Sequence, residues 1–346
     1  MNHETRRIEG GGGRSRSVFS HVTSVANLLS AWRVFRRGKR KKVDVANFEL
    51  HLEERIFTLH DELTNGIYQH GEYMEFIVCD PKRRHIHKAE VRDRVVQQAL
   101  YQELSPLFDP QFIYDSFSSR IDKGTHLGVN RLEKALCKAT RNWRVPGYAL
   151  KCDIRKFFDS IDHEILGRIL HRTVTDYETQ NLLGIVLGSF EKSPGKGLPL
   201  GNVTSQLFAN IYMNEFDQYV KHTLKQRHYF RYCDDFVILA HTKAELRVLL
   251  GKIEVFLREE LLLEPHPHKV EIRKVSQGID FLGYVAFPHH RRLRTKTRRR
   301  VLKKIQVKSE TPEKKLSQLA SYQGVAKHAR ERLLQREIEA KKATLY

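Results

Sequence analysis

Residues 229–239 read Tyr-Phe-Arg-Tyr-Cys-Asp-Asp-Phe-Val-Ile-Leu, so two adjacent carboxylates, Asp234 and Asp235, sit between short aromatic and β-branched runs. Such runs have the composition of strands, and the Cys-Asp-Asp between them that of a hairpin tip. An Asp-Asp pair alone would mark a solvated turn. A third acid changes that reading. Asp153 closes the strand-like run Tyr-Ala-Leu-Lys-Cys-Asp (148–153) and precedes a helical pattern. Carboxylates suit hard divalent cations, which prefer oxygen ligands. Three of them on two strand ends could hold two Mg²⁺ ions about 3.5–4 Å apart, the arrangement used for phosphoryl and nucleotidyl transfer.

The elements that must position these acids follow from hydrophobic spacing. Val25, Leu28, Leu29 and Trp32 predict a helix within 20–36, and Leu52, Ile56, Leu59 and Leu63 predict a second, amphipathic one. Tyr73, Phe76, Ile77 and Val78, followed by Asp-Pro-Lys-Arg-Arg-His-Ile-His, predict a hairpin with a basic turn. Helices are expected at about 91–104, 127–141, 203–223 and 243–262. Gly195-Lys-Gly-Leu-Pro-Leu-Gly201 is a glycine-punctuated loop feeding the third of these. A strand pair is expected around 269–287, with Phe281-Leu-Gly-Tyr284 read as strand, and the basic tail from His289 as helical.

Lys and Arg total 61 against 41 Asp and Glu, a formal net charge of +20, which favours a polyanionic partner such as nucleic acid. Arg36–Lys42 is densely basic and reads equally as a solvated loop or a phosphate-contact strip. Cys79, Cys137, Cys152 and Cys233 lack C-x-x-C spacing and fit buried thiols in a reducing cytosol. The histidines have no metal-ligand spacing. No run of about 18 apolar residues and no secretory signal is present, so no membrane partner and a cytoplasmic location are expected.

The order of these pieces resembles a reverse transcriptase from about Asn27 to His328. Tyr232-Cys-Asp-Asp235 matches the family's Tyr-x-Asp-Asp box, and Lys151–Asp162 its first palm-acid motif. Gly197-Leu-Pro-Leu-Gly-Asn-Val-Thr-Ser-Gln206 has Leu200 where most members have Gln and Gln206 where they have Pro. That combination is similar to the reverse transcriptases of diversity-generating retroelements, related to group II intron and retron enzymes. So are Arg92–Leu100, Lys123-Gly-Thr-His126 and Ser321-Tyr-Gln-Gly324; Cys233 stands where Met is common there.

The resemblance implies an α+β right-hand polymerase with fingers, an antiparallel-sheet palm and a small helical thumb. Residues 1–19 would be a flexible basic tail and 20–148 the fingers with N-terminal helices. Residues 149–287 would be the palm, with a fingers segment inserted at about 163–195, and 288–346 the basic thumb and tail. Asp153, Asp234 and Asp235 would be catalytic and, with the Ile154 carbonyl, hold two Mg²⁺ ions, with Mn²⁺ as a substitute. Lys82 and Arg84 would grip the triphosphate, and Phe158 would select deoxynucleotides while Phe157 packs the core. Leu200, Gly201 and Gln206 would lie at the nascent base pair. Lys269 and Gly278 would brace the primer, and Arg298, Arg299 and Lys303 would follow an RNA–DNA duplex. Asp159 and Asp162 read as structural or capping acids.

The implied reaction is RNA-directed synthesis of cDNA from dNTPs, error-prone at template adenines, in a bacterial, archaeal or phage-encoded system. A small basic accessory protein oligomer is the implied partner. Retron, group II intron-like and antiphage-defence enzymes share the chemistry and stand as alternatives. A catalytically silent RNA-binding scaffold is a remoter one.

Overall fold

The computed structural model describes residues 17–79, 83–307, 311–329 and 331–343. They form two compact units. One draws on Met1–Leu107, Gly167–Phe190 and Pro199–Ser205, the other on Phe108–Leu166, Glu191–Leu198 and Gln206–Tyr346. Both mix helices with antiparallel sheet, as the α+β expectation requires. Among the described residues no helix is long and apolar enough to cross a membrane.

The first unit begins with helices α1 (Val18–Thr23), α2 (Val25–Phe35), α3 (Val43–Leu50) and α4 (Leu52–Thr64). Ser17 and Ser24 cap α1 and α2 by accepting backbone N–H bonds from Ser20 and Asn27. The predicted apolar stripe of α4 is realised, since Ile56, Leu59 and Leu63 are buried, and Trp32 of α2 meets Phe48 at 4.9 Å with the rings tilted. Arg36 and Arg40 of the basic run both pair with Glu49, and Lys39 donates to the Phe35 carbonyl. These three cations therefore fasten the α2–α3 corner. Strands β1 (Met74–Val78) and β2 (Arg84–Lys88) form the expected hairpin, with Val78 opposite Arg84. Helix α5 (Val91–Phe108) runs beyond its expected end and contains Pro106.

In the second unit, α6 (Thr125–Ala139) precedes β3 (Tyr148–Asp153) and α7 (Phe157–Ser160); α8 (His163–Thr173) starts there and continues from Gly167 in the first unit, which also holds α9 (Tyr177–Gly188). Helix α10 (Val203–Gln218) ends in a π-helical turn, Tyr219–Thr223, so the expected 203–223 helix changes its winding near its end. Then come β4 (Tyr229–Tyr232), β5 (Asp235–Ala240), α11 (Lys243–Glu260) and β6 (Glu271–Lys274). The four strands make one sheet in the order β4-β5-β3-β6, with β3 antiparallel to both neighbours. Alternation sorts their side chains. Val237, Leu239, Ala149 and Phe230 pack with Leu132 and Leu136 of α6, whereas Phe236 meets Phe216 of α10 at 5.0 Å. Covered on both faces, β5 reads as a continuous apolar run.

A second sheet follows the order β7 (Ile279–Phe281), β8 (Tyr284–Phe287), β9 (His290–Leu293), before helices α12 (Thr295–Gln306), α13 (Pro312–His328) and α14 (Arg332–Ala343). Two expectations are corrected here. Phe281-Leu-Gly-Tyr284 is a hairpin turn, because Leu282 and Gly283 both take positive φ (54° and 86°), the geometry that joins tightly paired strands. His290–Leu293 is a strand, since Arg291 and Leu293 point inward in period two while His290 and Arg292 point out. The basic helix therefore starts only at Thr295.

Candidate active site

Antiparallel pairing of β3 with β5 places Asp153 and Asp235 directly opposite each other at the end of the ladder. Tyr232 pairs with Asp235, so the hairpin turn is Cys233-Asp234, with Cys233 at φ 57°. The Ile154 N–H donates to the Asp234 carbonyl at 3.2 Å, tying the end of β3 to this turn. The three acids read from sequence are thus brought to one edge of one sheet.

Cations already attend two of them. Lys269 Nζ donates to Asp153 Oδ1 at 2.6 Å, and Lys151 Nζ lies 3.6 Å from Asp235 Oδ2 while donating to the Asp280 carbonyl. Lys151 and Asp153 share a face of β3 because they stand two residues apart. Asp235 Oδ1 is buried and has no hydrogen-bond partner. Burial pushes the Asp235 carboxyl up to about 6. Lys151 opposes the rise, and Asp234, Asp153 and Asp280 add to it.

This donor set fits a divalent cation. Among the described residues no group of three or more acidic, histidine or cysteine side chains is placed to hold a metal ion by itself. Mg²⁺ is usually held by one or two carboxylates together with substrate phosphates, and an unpartnered buried carboxylate oxygen suits that role.

The raised pKa also has a consequence for stability. The native state binds a proton on Asp235 between about pH 4, the unfolded value, and about pH 6, so the charge costs stability as pH rises through that window. In metal-free buffer, Asp235→Asn is expected to be more stable than the parent chain at pH 8 by about 3 kcal/mol, with the gap closing near pH 4. Urea unfolding at the two pH values checks this.

The turn is held from behind by a network that the sequence reading missed. Arg231, fully buried on β4, makes an ion pair of 2.6 Å with equally buried Asp217, and its Nη1 donates to the Cys233 carbonyl at 3.1 Å. Tyr229 Oη donates to Asp217 at 2.6 Å, and Arg231 Nη2 to Ser116 Oγ at 3.1 Å. The Arg231 backbone bonds Asp115 and Phe117 on either side of Ser116. Burial opposes the Arg231 charge, but Asp217 outweighs it and raises the pKa. The available signal was a charged residue inside the run Tyr-Phe-Arg-Tyr, which a buried strand tolerates only with a partner.

After β3 the chain turns through Lys156 (φ 45°) into α7. Phe157 is buried and Phe158 half-buried. Asp162 accepts the backbone N–H groups of Glu164 and Ile165 and caps α8, its expected role. The glycine loop is stitched to this corner, with Gly197 N–H donating to the Ile161 carbonyl and Leu198 N–H to that of Phe158.

In the first unit, the Leu200 carbonyl accepts the His87 N–H at 3.1 Å. Gly201 has φ +117°, and a Cβ there would meet Ile86 at 3.0 Å, so glycine is required against β2. Arg84 is exposed at the start of that strand, and Lys82 lies outside the described residues. Gln206 is exposed on α10. Gly278 is buried at φ +83°, where a Cβ would strike the Phe287 ring at 2.5 Å, so packing alone demands glycine. Of the basic tail, Arg298 pairs with Glu331 at 3.1 Å and Arg294 with Asp280, whereas Arg299 and Lys303 are exposed four residues apart on α12.

Known proteins resemble this chain in sequence. Residues 80–286 match the model of the family described as "Reverse transcriptase (RNA-dependent DNA polymerase)". Protein YkfC of Escherichia coli (strain K12) is 27% identical over 300 residues, 74% of this chain and 76% of that protein. The group II intron-encoded protein LtrA of Lactococcus lactis subsp. cremoris is 22% identical over 303 residues, 67% of this chain but 49% of its own length. This chain thus spans about half of LtrA. A chain of a partial Cas6-RT-Cas1–Cas2 complex aligns at TM-score 0.42 and 18% identity, over 74% of this chain and 46% of that one. The matched span covers the whole β4-β5-β3-β6 sheet and the three acids on its edge, and this chain belongs to the reverse transcriptase family of RNA-dependent DNA polymerases, with homology to group II intron-encoded members.

Proposed function

We propose that this enzyme copies a template RNA into cDNA by two-metal nucleotidyl transfer and works in a diversity-generating retroelement, misincorporating opposite template adenines. The observation that carries the chemical part is the pairing of Asp153 with Asp235 across β3 and β5, with Asp234 in the adjoining turn. Residues 20–148 serve as fingers, 149–287 as palm with the insertion at about 163–195, and 288–346 as thumb and tail. Asp153, Asp234, Asp235 and the Ile154 carbonyl would hold Mg²⁺, which when bound would lower the pKa of the primer 3′-hydroxyl and offset charge on the triphosphate and leaving pyrophosphate.

The chain's own residues do the positioning. Arg84, and Lys82 in the adjoining turn, grip phosphate oxygens, for which a guanidinium offers a planar fork. Lys269, Arg298, Arg299 and Lys303 contact primer and duplex phosphates, buried Gly278 shapes the segment that braces the primer, and Gln206 contacts the nucleotide. Phe158 lies beneath the incoming sugar and rejects a 2′-hydroxyl by contact. That role is supported by its partial exposure beside fully buried Phe157. Phe158→Ala is expected to raise ribonucleotide over deoxynucleotide incorporation by roughly 10²-fold, measured as the ratio of kcat/KM values.

Leu200 is the basis for the retroelement assignment. Its backbone is fixed by His87, which leaves the side chain as the variable part. An aliphatic side chain beside the nascent base pair makes none of the hydrogen bonds that a Gln amide could make. Leu200→Gln is expected to reduce misincorporation opposite adenine on a defined RNA template, and an unchanged error spectrum would count against the idea. Homology to LtrA favours a second reading, a group II intron-like enzyme. Flanking DNA carrying near-identical repeats that differ at adenines decides for diversification. In that system a small basic accessory protein oligomer is the partner.

A further inference from the structure

A cavity of about 520 Å³ lies in the second unit, lined by residues that include Asn130, Trp143, Phe287, His290, Arg291 and Lys327. That volume is within the range of small-molecule sites, roughly 300–1,000 Å³. Trp143 precedes β3 by five residues while Asp153 ends it, so the cavity is at the other end of that strand from the carboxylates.

The segment carrying Trp143 is unusual. Arg141, Asn142 and Trp143 all take positive φ (48°, 59° and 66°), a conformation that bulky L residues rarely adopt. Local bonds fix it. Asn142 N–H donates to the Cys137 carbonyl at 2.8 Å, Trp143 N–H to Thr140 Oγ1 at 3.1 Å, and Val145 N–H to the Thr140 carbonyl at 3.0 Å. His289, also strained at φ 67°, meets Trp143 edge-on with ring centroids 5.7 Å apart. Strain of this kind, held in place by surrounding bonds, concentrates at ligand sites. Here it presents an indole ring at the cavity wall.

The remaining lining adds ring faces and polar groups. Phe287 and His290 stack at 4.9 Å with planes 5° apart. Arg291 forms a fixed wall, since its guanidinium is saturated by Glu133, Asn130 Oδ1 and the His328 carbonyl. Lys327 is exposed at the end of α13 and makes no ion pair among the described residues. Outside the cavity, Lys134, Lys138, Arg141 and Arg144 are exposed along α6 and the turn after it. Aromatic faces beside an unpaired cation and a basic track match a planar base with its phosphate on a single strand.

We infer that this cavity is a second RNA site, which takes one unpaired nucleotide of the template RNA, its base on Trp143 and its phosphate on Lys327. The choice of RNA rests on the reverse transcriptase assignment; the site itself rests on the cavity and does not require catalysis. It would anchor a segment of template well away from the carboxylates.

The test measures binding and extension separately on the full-length protein. A 12-nucleotide single-stranded RNA is titrated against wild type, Trp143→Ala and Lys327→Ala, in parallel with a DNA of the same sequence and with uridine monophosphate. Trp143→Ala is expected to weaken RNA binding by about tenfold, and Lys327→Ala to reduce the salt dependence by close to one phosphate contact. A 4-thiouridine-labelled RNA should crosslink to the 287–290 segment. Both variants should still extend a saturating short primer–template, which shows that they fold. Unchanged RNA affinity in both variants, equal affinity for the DNA, or binding of the mononucleotide as tight as the 12-mer would overturn the inference. Loss of extension in Asp234→Ala with this binding intact bears on the catalytic assignment alone.

Discussion

Arg231→Met is expected to destabilise the protein by about 3–5 kcal/mol, because it leaves the Asp217 carboxylate buried without its counter-charge. Urea unfolding measures the loss. The double change Arg231→Met with Asp217→Leu should recover much of it, since removing both charges spares the desolvation that each demands. Activity should not return with stability. Arg231 also holds the Cys233 carbonyl, and through it the turn that presents Asp234 and starts β5 at Asp235. Arg231→Lys is expected to fail for a related reason. A single ammonium cannot bridge Asp217, Ser116 and Cys233 in the way that a planar fork does. A double variant that is both stable and fully active would show that the turn holds itself.

Asp153→Asn and Asp235→Asn are each expected to lower primer extension on the order of 10³-fold, as several kcal/mol of charge stabilisation are lost from the transition state. The two should differ in their effect on the folded state. Asp235 is mostly buried with one oxygen unpartnered, so its neutral replacement stabilises the metal-free protein. Asp153 is neutralised by Lys269, so Asp153→Asn removes a favourable pair on a half-exposed surface and should change stability by less than about 1 kcal/mol. Opposite signs on stability with matching losses of activity would separate chemistry from folding.

Much of this site could be read along the chain because its parts are local. The α4 stripe of Ile56, Leu59 and Leu63 declares its buried face by spacing alone, and the Asp234–Asp235 hairpin is announced by the runs that flank it. What could not be read depends on partners distant in sequence. Asp217 and Arg231 meet only because α10 packs on the sheet, and Lys269 reaches Asp153 across 116 positions. The turn at Leu282-Gly283 resembled a strand because its flanks are apolar. Leu282 accepts a strained φ there while packing over Gly128 of α6, where a Cβ would come within 2.8 Å of it. In the basic tail, Arg291, Arg294 and Arg298 look identical to Arg299 in sequence. Only the fold shows that the first three are bonded to Glu133, Asp280 and Glu331.

The most direct measurement is extension of a DNA primer on an RNA template with dNTPs and Mg²⁺, comparing the parent chain with Asp234→Ala at matched folded concentration. The parent chain is expected to synthesise cDNA that disappears when Mg²⁺ is chelated, and Asp234→Ala to synthesise none. Synthesis by Asp234→Ala at the parent rate would contradict the assignment of the β3–β5 edge as the polymerase centre.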